Sequence, residues 1–432
     1  MKTFQTVLLA VFGFFIVAGV IAVASYGKFG GFGNTTVPAE GVIWGTLDQN
    51  TVQGVIDLFN QDNDNTLNIT YEQFSEDTFD DTLTEALAEG RGPDMIIIGN
   101  DRLLQHEKKL YAIPFASLSE RLFRDTYIEG AELYIGQTGI VALPILIDPM
   151  VMYWNRTLFN SAGIARPPKL WEEVTASVPK LTKSDSAFNI TQSAVALGEH
   201  KNVLHAKEIL ATMIMQAGNP ITIQSNGRFQ SILNDRLDLP EVPADAATRF
   251  YTEFSNPVKP SYSWNRALPL SKDAFVRGDV AMYLGFANEL FGIQEQNPNL
   301  NFDVTRMPQV RDAVDKATFG EVYAIAVLAQ SKKIPNAFVA ATTLAGPIAS
   351  PLWSDAFALP PARRDMLSQV PTDPYKTVFY QDALIARGFY DADPVQTDTI
   401  FASLIEDVTS GRLSVSQAVS EADGRMDRLL AK

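Results

Sequence analysis

Polar side chains gather at the ends of apolar runs along this chain, and their types suit the recognition of hydroxyl groups better than bond cleavage. Asp48 and Gln49 follow VIWGTL (Val42–Leu47), and Asn100 and Asp101 follow MIIIG. Asp148 interrupts LPILIDPMVMYWN (Leu143–Asn155), while Glu321 and Tyr323 open EVYAIAVL. Glu199 and His200 lie in GEHKN, Trp264 and Asn265 close YSWN, Phe286 and Asn288 follow VAMYL, and Tyr390 lies in GFYD. Carboxylates and amides satisfy hydroxyl groups, charge-assisted bonds being the stronger ones. A flat aromatic ring covers the apolar face of a pyranose at little entropic cost. Such a set fits a saccharide, though other small polar solutes present the same kinds of group. Each member also has a structural reading. Asp48 and Asp101 are suited to capping a following helix, Glu199 and His200 to a cap or solvated loop, and Trp264 to plugging a core.

Catalytic patterns are missing. The histidines are His106, His200 and His205, and none forms an HExxH pair; there is no G-x-S-x-G turn and no phosphate-binding glycine loop. Paired carboxylates alone are shared with glycosidases, but nothing selects an acid and a nucleophile. The stretch NQDNDNTLNITYE invites comparison with a calcium loop. Its sixth place lacks glycine, however, and Tyr71 stands where glutamate belongs. The expectation is a binding protein without catalytic residues, metal or cofactor.

A chain of 432 residues exceeds one ordinary core and predicts two or three domains. Its net charge of −15 argues against nucleic acid, whose phosphates need a basic footprint. That charge suits a neutral or cationic ligand. Cysteine is absent, which excludes disulfides, thiolate chemistry and lipid attachment through sulfur. Val7–Ala24 is an uncharged apolar run behind Lys2, long enough to cross a bilayer as a helix. It predicts a signal anchor over residues 1–25, with the body outside the cytoplasm. Ala22-Val23-Ala24 keeps a cleaved signal peptide as the alternative. Residues 26–40, rich in glycine and small polar residues, read as a flexible linker. With one such segment, a secondary transporter is excluded.

The clusters need a scaffold, and periodicity supplies it. VIWGTL reads as a strand, followed by Val52, Val55, Ile56 and Phe59 at helical spacing. Leu67–Phe74 alternates as a strand, Phe79, Leu83, Ala86 and Leu87 form a helical stripe, and Met95–Ile98 is a central strand. This β-α-β-α-β order predicts parallel strands with right-handed crossovers and helices on both faces. Further on, Val203–Ala217 reads as an amphipathic helix, Glu321–Leu328 as a core strand, and Ala337–Ala345, Ile400–Asp407 and Val415–Leu430 as helices. Asp148-Pro149 is anomalous, because a lone carboxylate is costly to bury and proline is a poor member of a central strand. A strand leaving one core, crossing an open cleft and entering a second core accounts for it.

Several segments resemble the extracellular solute-binding proteins of ABC importers, most closely the sugar-binding branch that includes maltose- and glycerol-phosphate-binding proteins. They are Gly92-Pro93-Asp94, LPILIDPMVMYWN, RTLFNSAGIARPPKLWEEV (Arg156–Val174), AFVRGDVAMYLGF (Ala274–Phe286), Glu321–Gly346 and Thr409–Leu430. The resemblance runs from about Gly41 to Leu430 and implies an α/β, two-lobed periplasmic-binding-protein fold with a hinge, preceded here by the apolar helix. It places residues 41–146 and 318–347 in lobe one, and 147–317 and 348–432 in lobe two. It also puts Phe286 at the family's position for cleft aromatics. The implied function is capture of an oligosaccharide, or another small polar solute, by a monomer that delivers it to the transmembrane subunits of an ABC permease. A tethered sensing module of the same fold, feeding no transporter, is the alternative. The departure is the missing lipid-bearing cysteine, which the anchor replaces.

Overall fold

The structure is a computed structural model that describes residues 39–431 apart from 64–65, 312, 314–315 and 370. The apolar run Val7–Ala24 lies outside the described residues. Among the described residues, no helix is long and apolar enough to cross a membrane.

Each strand of the first half forms where its pattern demands. β1 (Ala39–Gly45) buries alternate residues, β2 (Leu67–Gln73) turns Leu67, Ile69 and Tyr71 inward, and β3 (Met95–Gly99) is buried throughout. β1 pairs in parallel with both β2 and β3. The crossover helices Gln49–Asp62 and Glu76–Ala88 start at Asp48 and Ser75, whose side chains accept from Thr51 N and Asp77 N. They bury Val52, Val55, Ile56 and Phe59, and Phe79, Leu83 and Leu87 respectively, as the 3.6-residue period requires.

The remaining strands are β4 (Ile113–Pro114), β5 (Gly139–Ile140), β6 (Leu143–Asn155), β7 (Lys183–Ser184), β8 (Ile190–Val195), β9 (Thr222–Ser225), β10 (Arg228–Ser231), β11 (Val280–Phe286), β12 (Phe302–Thr305), β13 (Thr318–Val327) and β14 (Ala386–Arg387). The main sheet runs β2-β1-β3-β13-β6-β11-β8-β7, with β12 also on β6 and β14 also on β13. β6 changes partners midway. Residues from Leu143 to Pro149 pair with β13, whereas Met150 to Trp154 pair with β11 and Met152 to Asn155 with β12. β13 likewise serves β14 at Thr318 and Phe319 and β3 from Tyr323 onward. Residues 360–362 run beside β6, where Ile147 N donates to Pro360 O at 3.0 Å and Ala362 N to Ile145 O at 3.2 Å.

Three expectations need correction. Asp148 does not face an open cleft: it is 0% exposed and paired in register with Glu321. The helix expected at Val203 starts at Ala206, because His205 takes a left-handed conformation (φ 62°) and ends the preceding loop. That helix, Ala206–Gln216, is buried on nearly all sides rather than amphipathic, packed against β13 and the helices Pro243–Glu253 and Pro394–Thr409.

Candidate functional site

A cavity of about 240 Å³ opens where several strand ends meet. Thr46 follows β1, Gly99 closes β3 with Asp101 just beyond it, Phe286 closes β11 with Asn288 just beyond it, and Glu321 and Tyr323 lie within antiparallel β13. His205 and Glu208 enter from the start of the helix Ala206–Gln216, and Glu76, Phe79 and Arg102 complete the wall. This is the position that open α/β sheets give their ligands.

Its chemistry is mostly acidic. Glu321 accepts from Tyr323 Oη at 3.1 Å. Burial, and then the neighbouring charges of Asp101 and Glu208, push its carboxyl up to about 7. Asp101, with 30% of its side chain exposed, is pushed up to about 6 by desolvation, although Arg102 and Lys207 pull the other way. Beneath them Asp148 is raised well above the usual carboxylate range by burial and by the Glu321 charge. Its Oδ1 accepts from Asn288 N at 3.2 Å, and its Oδ2 finds no partner among the described residues.

The cations nearby are already engaged. Arg102 Nη1 donates to Asp80 at 2.8 Å, and its Nε lies 4.0 Å from Asp101. Lys207 Nζ sits 3.4 Å from Glu208 and 3.5 Å from Asp391. Glu289, behind Phe286, gathers His205 Nε2 at 2.9 Å, Lys272 Nζ at 2.8 Å, Tyr283 Oη at 2.8 Å and Phe286 N at 2.9 Å. Burial opposes its ionisation, yet these bonds hold its carboxyl down at about 2. His205 loses basicity through burial but regains more from Glu289, and its ring meets Phe286 edge-on at 4.9 Å.

Of the residues singled out from sequence, Asp101, Phe286, Asn288, Glu321 and Tyr323 meet at the cavity. Asn100 and Asp148 lie just behind it, Asn100 Oδ1 accepting from Val322 N at 2.7 Å. The others are elsewhere. Asp48 is an exposed cap bonded to Thr51, and Gln49 and Gln73 each donate a backbone N–H to the other's side-chain Oε1. Glu199 pairs with Arg266 at 3.1 Å, and His200 with Asp398 at 3.1 Å. Asn265 accepts from Ala267 N and donates to Tyr262. Tyr390 packs on Phe229 with ring centroids 4.8 Å apart. Trp264 is 1% exposed inside the core and takes the plug role, its indole nitrogen without an acceptor among the described residues. Sequence reasoning missed Thr46, Glu76, Phe79, Arg102, His205 and Glu208 as cavity residues. His205 and Glu208 carried one usable signal: polar residues at the head of an otherwise apolar helix.

A family profile described as bacterial extracellular solute-binding protein matches residues 45–349. The chain belongs to that family. Among relatives of this solute-binding protein, binding proteins of Brucella abortus and Brucella suis are 22% identical over 268 residues, which is 59% of this chain and 59% of theirs. The match thus spans about three-fifths of the relatives' length. Solved structures share the fold. The cyclic α-maltosyl-1,6-maltose binding protein of Arthrobacter globiformis superposes with a TM-score of 0.75 at 16% identity, over 91% of this chain and 99% of that one. A cyclo/maltodextrin-binding protein complexed with maltotetraose gives 0.71 at 16%, over 93% and 98%. The GacH receptor of Streptomyces glaucescens, whose structures include an acarbose complex, gives 0.68 at 15%, over 91% and 98%.

Proposed function

We propose that this solute-binding protein captures a saccharide in the cavity and delivers it, unchanged, to the transmembrane subunits of an ABC-type permease. The carrying observation is that the cavity is walled by two strand groups, β1 and β3 with β13 on one side and β11 with the helix Ala206–Gln216 on the other. Asp101, Asn288 and Glu321 would bond hydroxyl groups, and Phe286 and Tyr323 would cover the apolar ring face. Solved structures that share the fold include complexes with maltotetraose and with acarbose, and these support the ligand class.

In this reading the two strand groups are lobes, and β6 with β13 forms the hinge between them. The helix Ser350–Phe357 packs on the helix Gln49–Asp62 and on β6, which supports counting the segment around it with lobe one rather than lobe two. The helix Pro374–Ala383, on β6 and β12, stays with lobe two. Residues 7–24 would tether the protein at the outer face of the cell membrane. Thermal denaturation of the full-length protein across saccharides, sugar phosphates, polyamines and peptides tests the assignment. A true ligand at a hundredfold excess over Kd adds about 2.7 kcal/mol of stability. A rise confined to a non-sugar class would refute it.

A further inference from the structure

We propose that the ligand carries positive charge: a basic saccharide, whose ammonium group sits between Asp101 and Glu321 in the cavity. This rests on the saccharide reading above and narrows it. The charge arrangement carries it. Each cation around the cavity is bound to its own anion: Arg102 to Asp80, Lys207 to Glu208 and Asp391, His205 and Lys272 to Glu289. Among the described residues, Asp101 has only the distant edge of Arg102 at 4.0 Å as an ion-pair partner, and Glu321 only the Tyr323 hydroxyl as a side-chain hydrogen-bond partner. Asp148, fully buried and paired in register with Glu321, adds a third carboxyl whose Oδ2 lacks a partner among the described residues.

An uncharged sugar can accept from or donate to these carboxyls but cannot balance their charge, and carboxyls packed together favour one another's protonated form. Desolvation raises both carboxyls first, and for Glu321 the charge of Asp101 adds to it. An ammonium group offsets this by letting both ionise against a common partner, with bonds of the stronger, charge-assisted kind. Among the described residues no cluster of acidic, cysteine or histidine side chains is suited to a metal ion, so an organic cation fits better than a bare one.

Titration calorimetry of the full-length protein with glucose, glucosamine and N-acetylglucosamine, with the corresponding β-1,4-linked disaccharides, and with spermidine tests the idea. The amine-bearing sugar should bind at least tenfold more tightly than its acetylated or hydroxyl counterpart. Its affinity should rise between pH 5 and pH 7 as Asp101 and Glu321 release their protons. Glu321→Gln and Asp101→Asn should each reduce the preference toward unity. Equal or tighter binding of the neutral sugars overturns this inference and leaves the saccharide reading standing. Binding of spermidine with no sugar bound, or no binding by any member, overturns both.

Discussion

Replacing Glu321 by glutamine should make the unliganded protein more stable, by an amount that depends on pH. The carboxyl lies at about 7 in the folded protein against an ordinary 4.5, chiefly because burial removes its solvation. As pH rises through 4.5 the unfolded chain releases this proton before the native protein does. Stability therefore falls from about pH 4.5 and levels off above about pH 7. The accumulated penalty is about 1.4 kcal/mol per unit of difference, or about 3 kcal/mol at pH 8. At pH 5 it is under about 1 kcal/mol by the same relation. Glutamine copies the shape of the protonated acid and keeps an oxygen for the Tyr323 hydroxyl, so little else is lost. Urea denaturation without ligand at pH 5 and pH 8 measures both values. With an unfolding entropy of about 0.8 kcal/mol/K for a chain of this size, the pH 8 gain corresponds to about 4 °C in Tm. Equal stabilisation at the two pH values, or a loss at pH 8, would refute the assignment of a destabilising carboxyl at Glu321.

Other outcomes follow from the same geometry. Trp264→Ala should cost about 3–5 kcal/mol in urea denaturation of the unliganded protein and leave calorimetric titration of the folded protein unchanged; weakened binding at normal stability would return Trp264 to the site. Glu289→Gln should destabilise by about 3 kcal/mol at pH 7. Its carboxyl is held at about 2, so the stability it contributes is complete above about pH 4.5 and is lost as pH falls through 2; the variant's deficit should shrink in melts at pH 3, and a constant deficit would count against it. Gly388→Ala should destabilise the protein, because a Cβ there would lie 2.3 Å from Asn100 Nδ2 and displace the side chain that holds Val322 N. Slower-exchanging Val322 amide protons in that variant would contradict the account.

How much of this was legible beforehand differs from residue to residue. Polar residues follow MIIIG and open EVYAIAVL, and ligands of open α/β sheets sit beside strand ends, so Asp101 and Glu321 were readable. Trp264 was not. Its neighbours Ser261, Ser263 and Asn265 suggested a solvated loop, yet Ser263 Oγ donates to Val195 O at 2.8 Å and Trp264 N to Phe254 O at 3.1 Å, which folds the loop inward. Val195 lies 68 residues away in sequence, beyond what local pattern conveys. His205 was read as part of a helix, whereas its left-handed backbone breaks the helix and turns the ring toward Glu289. The doubled role of β6 was legible in outline through Asp148-Pro149. The burial of Asp148 was not, because it depends on register with Glu321.

That register has a mechanical consequence. β6 and β13 pair rung for rung from Leu146 to Pro149, with residues 360–362 beside β6, and hydrogen bonds in fixed register make such a strip stiff against shear and in-plane rotation. Out of its plane it flexes easily. Pro149, which has no amide hydrogen, faces Gly320, which has no side chain, so the strip is thinnest and least braced at that rung. If the strip is the hinge proposed above, it would act as a leaf spring with this rung as its flexing point. Glu321, on the cavity wall, is the next residue along from Gly320. A force applied at the cavity therefore reaches the flexing point across a single peptide bond, without a chain of intermediate side chains to carry it.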